Sequence, residues 1–225
     1  MVTLAAIPPR LDEPVVVIDV LRAFTTAAWV LHADASALLL AASRADALSV
    51  KAALGPDAVA VADGELAPGF DLGNSPAQAQ RFELAGRPVV QTTTNGTVGV
   101  HAARHAPLVL CAGLVTAAAT ARALVASGAD AVTYVVTGGE TADEDVACAD
   151  LIDALANGRQ APRDTVDRVQ GSRAAAGLRS GVAAGFAGVD EDDIRLSCEI
   201  DRFAFTLGVR PDAPDVELVR ICPDN

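Results

Sequence analysis

The run Gln91-Thr92-Thr93-Thr94-Asn95-Gly96-Thr97 concentrates hydrogen-bonding chemistry: every side chain except that of Gly96 is a hydroxyl or an amide. It follows the apolar Pro88-Val89-Val90 and precedes a helical pattern. A helix N-terminus offers unpaired N–H groups and the positive end of a dipole, so this junction is suited to hold an anion. A second candidate is Asp19, which ends the apolar run Val15 to Ile18 and is followed by Arg22, Thr25 and Thr26. Ligands of open α/β sheets sit beyond the carboxyl ends of strands. A carboxylate there is placed for a metal or a phosphate, with helix capping as its structural alternative. Arg22 reads as an anion contact, with a surface ion pair as the alternative.

Two further segments carry carboxylates at strand ends. Asp63-Gly64-Glu65 opens a glycine-bearing loop that runs through Asp71 to Asn74-Ser75-Pro76, where Ser caps a helix and Pro takes its first turn. Glu65 and Asp71 are candidate ligands for a hard cation, since Mg²⁺ takes one or two carboxylates plus waters and phosphate. Gly138-Gly139-Glu140 leads to Asp143-Glu144-Asp145. Asp143 is accounted for by the helix dipole, whereas Glu144 or Asp145 is a candidate ligand or base. Other residues offer less. His101 and His105 have ligand spacing on a helix but no third partner nearby. Cys148 follows acidic residues that raise a thiol pKa. The dinucleotide GxGxxG, the P-loop and the GxSxG elbow are all missing from the chain.

These loops need elements to position them. Short, uniformly apolar runs at Val15–Ile18, Ala37–Ala41, Ala58–Ala62, Pro88–Thr92, Leu108–Cys111 and Ala131–Val136 read as strands covered on both faces. Between them lie helical patterns at Ala23–His32, Arg44–Leu54, Ser75–Leu84, from Gly96, Val115–Ser127 and Asp143–Ala156. The alternation predicts an α/β fold, a three-layer α/β/α sandwich with a largely parallel sheet. Beyond Pro162 the rhythm changes: Thr165–Phe186 and Asp190–Gly208 read as two longer helices, and Val216–Ile221 as a last strand at an edge. The 225 residues suit a single domain with a helical subregion at 160–210.

Composition narrows the function classes. Net charge is −12 and aromatics are 4%, which argues against nucleic acid. The four scattered cysteines read as reduced thiols, and no run is long enough to span a bilayer. A cytoplasmic protein without membrane attachment is expected. The oligomeric state stays open, a homodimer included. An anionic substrate would need local positive charge from Arg22, from helix N-termini or from a metal.

In order and spacing, Asp19 with Leu21-Arg22-Ala23 and Thr25-Thr26, then Gly69-Phe70-Asp71-Leu72-Gly73-Asn74-Ser75-Pro76, then Thr92 to Thr97, resemble the 2-phosphosulfolactate phosphatase family. Glu140 to Ala149 and Asp192 to Val209 are similar to two further family blocks. The chain departs from the usual pattern at Gln78, Gln80 and along 139–142, which bears on the organic part of the substrate. The resemblance implies an α/β/α fold and Mg²⁺-dependent hydrolysis of the phosphate monoester of a 2-hydroxycarboxylic acid. Its namesake reaction makes sulfolactate on the coenzyme M route.

The expected mechanism has Mg²⁺ on Asp19 and Glu65, with Asp145 or Glu144 close by directly or through water. Arg22 and the helix start at Thr93-Thr94-Asn95-Gly96-Thr97 would hold phosphoryl oxygens, and Asn74-Ser75 the carboxylate or sulfonate. Metal-activated water would attack. The alternatives are an aspartyl-phosphate on Asp19, although Leu21 stands where the haloacid-dehalogenase scheme needs a second Asp, or a protein that binds anions without turnover.

Overall fold

The computed structural model describes residues 1–8, 10–139, 141–211 and 213–223. In its first half, strands β1 (Val2–Thr3), β2 (Val15–Ile18), β3 (Ala37–Leu40), β4 (Val59–Ala62) and β5 (Leu72–Gly73) alternate with helices α1 (Ala23–His32), α2 (Arg44–Leu54) and α3 (Pro76–Arg81). Then follow β6 (Pro88–Thr92), α4 (Gly96–Ala103), β7 (Val109–Ala112), α5 (Ala117–Ser127), β8 (Thr133–Val136) and α6 (Asp143–Ala156). The chain continues with α7 (Thr165–Gly171), α8 (Arg173–Ala183), α9 (Asp193–Ser197), β9 (Thr206–Val209) and β10 (Glu217–Ile221).

The strands make one sheet in the order β1-β8-β2-β7-β9-β10-β3-β6-β4-β5. Two parallel blocks, β1-β8-β2-β7 and β3-β6-β4-β5, flank β9 and β10. Because β9 runs against β7, β10 against β9 and β3 against β10, the two blocks point in opposite senses. The strands are apolar on both faces for a visible reason. Val15 and Val17 pack with α1, α3 and α4, while Val16 and Ile18 pack with α5, α6 and α7. In the second block Val59 and Val61 join the first of these cores, and Ala60 and Ala62 meet α2. The result is the expected α/β/α sandwich, with helices covering both faces of a mostly parallel sheet.

The tail differs from the sequence expectation in three places. The long helix read over 165–186 is broken at Ser172, which leaves helical geometry and caps α8 by accepting the Ala175 N–H. The second long helix shrinks to α9. Asp201 adopts a left-handed φ of 56° after it, and Phe203 and Phe205 pack with each other and, through Phe203, with Trp29 and His32. Thr206–Val209 then forms a strand, because its short apolar run finds β7 and β10 as partners. Nor is the last strand an edge, since β10 pairs on both sides, with β9 and β3. Tertiary pairing overrides a weak local pattern here. Among the described residues, no helix is long and apolar enough to cross a membrane.

Candidate active site

Residues from the carboxyl ends of β2, β8, β4, β5 and β6 meet beneath α8 in a cleft of two lobes. One lobe, of about 330 Å³, is lined by Asp19, Thr137, Gly138, Glu144, Asp145 and Arg173, among others. The other, of about 220 Å³, is lined by Asp19, Arg22, Asp63, Asn74, Thr93 and Thr94, among others. Asp19, Leu21, Asn95 and Ala174 border both. Asp19 is therefore the hinge between the lobes.

Asp19 is buried, and its Oδ1 accepts the Ala23 N–H at 3.0 Å, so it caps α1 while facing the cleft. Its Oδ2 accepts from Thr137 Oγ1 at 3.4 Å. Gly96 makes this possible: a Cβ there would lie 2.8 Å from Asp19 Oδ2 and 2.7 Å from the Ala23 Cβ. Only a residue without a side chain lets the start of α4 come this close to the carboxylate.

Asp145 accepts the Val20 N–H on Oδ1 and the Thr137 and Gly138 N–H groups on Oδ2, at 2.9, 3.2 and 3.1 Å. Glu144 is buried with its Oε2 unpartnered among the described residues. Among the described residues, Arg22 is the cation that offsets any of this charge, and for Asp19 its effect is smaller than those of burial and Asp63. Burial is the first cause that lifts the Asp19, Asp145 and Glu144 carboxyls above their ordinary pKa values. Asp19 then raises both of the others, and Asp63 raises Asp19. Asp145 stands well above its usual range. Perturbed carboxyls gathered in a cleft mark functional sites.

The second lobe is more fully paired. Buried Arg22 donates through Nη1 to Asp193 Oδ2 at 2.6 Å and to the Gly188 carbonyl at 3.0 Å. Asp193 Oδ1 accepts Ser75 Oγ at 2.5 Å and the Ala77 N–H at 3.3 Å, while Ser75 Oγ also caps Gln78. The start of α3 is thus filled by the protein's own carboxylate, and the carboxylate or sulfonate site expected at Asn74-Ser75 is closed at Ser75. Asn74 still lines the lobe. Its Oδ1 accepts from Gln91 Nε2 at 3.1 Å, which turns the amide nitrogen away from that contact.

In the threonine run, Thr93 and Thr97 bond each other: Thr97 N–H donates to Thr93 Oγ1, and Thr93 N–H to Thr97 Oγ1. Thr94 gives both its N–H and its Oγ1 to Asp63 Oδ2, each at 2.8 Å. That leaves the N–H groups of Asn95 and Gly96 without a protein acceptor among the described residues.

Of the expected residues, Asp19, Arg22, Asn74, Thr93, Thr94, Asn95, Glu144 and Asp145 line the cleft, with Gly96 closing against Asp19. Glu65 does not: it is exposed, borders neither lobe, and offers its carbonyl to Arg44. Asp71 pairs with Lys51 and the Ala60 N–H instead. Asp63, the first residue after β4, lies at the rim that Glu65 was expected to occupy. Glu140 is outside the described residues. Sequence reasoning missed Asp63, Thr137, Asp193 and Arg173. Position directly after a strand end would have found the first two; nothing local points to the others.

The chain is also similar in sequence to known proteins. A family model described as 2-phosphosulpholactate phosphatase matches residues 3–180. A protein of Deinococcus radiodurans named probable 2-phosphosulfolactate phosphatase is 43% identical over 141 residues, 60% of this chain and 58% of its own length. One of the same name from Thermus thermophilus is 48% identical over 115 residues, 49% of this chain and 46% of its own. A third, from Bacillus subtilis, is 32% identical over 167 residues, 71% of this chain and 72% of its own. The chain thus spans less than two thirds of the Deinococcus and Thermus relatives it matches.

Proposed function

Since the chain belongs to the 2-phosphosulpholactate phosphatase family, we propose that it hydrolyses the phosphate monoester of a 2-hydroxycarboxylic acid, of which 2-phosphosulfolactate is the type. The observation that carries this reading is the meeting of three buried carboxylates, all with raised pKa, beside free helix-start N–H groups in one small cleft.

Among the described residues, no group of three or more His, Cys, Asp or Glu side chains has the arrangement of a metal cage. Mg²⁺ does not need one, because it is held by one or two carboxylates and completes its shell with water and substrate oxygens. The donors fit that habit: Asp19 and Asp145 repel each other across the cleft, and a divalent cation would relieve that repulsion. Asp19 and Asp145 would hold it, and when bound it supplies Lewis-acid charge and lowers the pKa of water.

The chain's own groups do the rest. Backbone N–H donors from Val20, Thr137 and Gly138 fix the Asp145 carboxylate. The N–H groups of Asn95 and Gly96, with Arg22 on the same side of Asp19, receive phosphoryl oxygens as charge develops on them. Glu144 Oε2, buried and without a partner, accepts a proton from the attacking water. Its raised pKa brings it nearer to neutral working pH, as a base requires.

The test is phosphate release from 2-phosphosulfolactate and from related phosphorylated hydroxy acids, with Mg²⁺ and with chelator. Turnover that needs Mg²⁺ and disappears in Asp19→Asn is the expected result. Full activity in chelator would remove the cation. No turnover across the panel would leave a protein that binds anions only.

A further inference from the structure

The proposed substrate carries further acid groups besides its phosphate, a carboxylate and a sulfonate in 2-phosphosulfolactate, and the start of α3 is closed to them by Asp193. Two arginines line the cleft, and Arg22 is already held by Asp193 and the Gly188 carbonyl. The other, Arg173, borders the larger lobe with Glu144 and Asp145. It makes no hydrogen bond or ion pair among the described residues, although three carboxylates line the same cavity. Arg173 is also the first residue of α8. There it faces the positive end of that helix's dipole, where a cation is disfavoured. Arg173 is exposed at this lobe and free to meet an incoming anion.

We propose that Arg173 binds one of the non-phosphoryl acid groups of the substrate, a carboxylate or sulfonate, so that the substrate spans Asp19 with its phosphoryl on the Asn95–Gly96 side. This rests on the phosphatase reading above and assigns the selectivity of the same site. At about 330 Å³ the lobe is at the small end of ligand pockets, which run from about 300 to 1,000 Å³. It suits a three-carbon acid better than a large organic group. A guanidinium also matches a carboxylate or sulfonate through paired N–H donors. The site thereby becomes selective: an aryl phosphate uses the Asp19 side alone, and a phosphorylated hydroxy acid uses both.

The experiment compares native protein with Arg173→Ala and Arg173→Lys, each with Mg²⁺. It reads the ratio of kcat/KM for 2-phosphosulfolactate to kcat/KM for 4-nitrophenyl phosphate. That ratio should fall roughly 10- to 100-fold in Arg173→Ala, the size of a lost charge-assisted hydrogen bond. The loss should lie mainly in KM, with part of it restored by Lys. An unchanged ratio would overturn the proposal, because Arg173 would then act on the phosphoryl group or on nothing. A calorimetric titration with sulfolactate and with inorganic phosphate needs no turnover. Arg173→Ala should lose sulfolactate binding and keep phosphate binding, and retained sulfolactate binding overturns the proposal. If the native protein binds sulfolactate through Arg173 yet hydrolyses no phosphate ester, the phosphatase reading fails and the acid site stands.

Discussion

The two lobes on either side of Asp19 use similar residues in opposite states. In the lobe lined by Arg22 and Asn74, the charges are matched: Arg22 has Asp193, and Asp63 has the N–H and hydroxyl of Thr94. In the lobe lined by Glu144 and Asp145, three carboxylates share a buried space, and the arginine that lines it, Arg173, pairs with none of them. The matched side holds its charged groups in place by pairing them within the protein. The unmatched side carries a free-energy penalty that a bound cation or ligand would remove, and such stored cost is characteristic of sites rather than scaffolds.

The sharpest way to break this comparison is to remove one carboxylate from each side. Asp193→Asn should destabilise the fold by about 3–5 kcal/mol in urea unfolding, since it strands the buried Arg22 charge. A loss below about 1 kcal/mol would put the pair on a par with a surface salt bridge. Asp19→Asn should do the reverse. An amide can still accept the Ala23 N–H and donate to Thr137 Oγ1, which itself donates to the Ile18 carbonyl. The variant should melt no lower than the native chain while losing at least about 100-fold in turnover. A lower Tm would mean that Asp19 is framework after all.

Next in size is the response to cation and pH. Mg²⁺ at 100 times its Kd should stabilise the native chain by about 2.7 kcal/mol and Asp19→Asn by much less, as thermal shifts would show. In chelator the sign of the pH dependence follows from the raised carboxyls. Between the unfolded pKa near 4 and their higher folded values, the native state binds more protons than the unfolded chain. Stability should therefore fall as pH rises through that window, and the slope should be shallower in Asp19→Asn. A flat profile would show that the carboxylates are already paired. The smallest effect belongs to the matched side: Thr94→Val keeps its N–H bond to Asp63 and loses one hydroxyl bond on an exposed residue. Urea unfolding should register about 1 kcal/mol or less.

Several of the site residues readable from sequence follow a strand directly. Asp19, Asn74, Thr93 and Thr94 stand one or two positions beyond β2, β5 and β6, where side chains must emerge at the sheet's rim. Glu65 failed by two positions: Asp63 is the residue next to β4, and by Glu65 the loop has already turned outward. Arg173 and Asp193 were hidden because Ser172 and Asp201 interrupt helices whose composition reads as continuous. Their roles depend on partners that local pattern cannot supply.

By itself the amino-acid order determined the alternation of strands and helices, the burial of both strand faces and the polar character of each strand end. Those properties follow from periodicity and composition within a few neighbouring residues. Only the tertiary structure decided that β9 and β10 run through the middle of the sheet, joining two parallel blocks of opposite sense. It alone also gave Arg22 to Asp193, 171 positions away, and left Arg173 without a partner among the described residues. Charge pairing depends on distance in space, and for residues so far apart in the chain that distance is set by the packed fold.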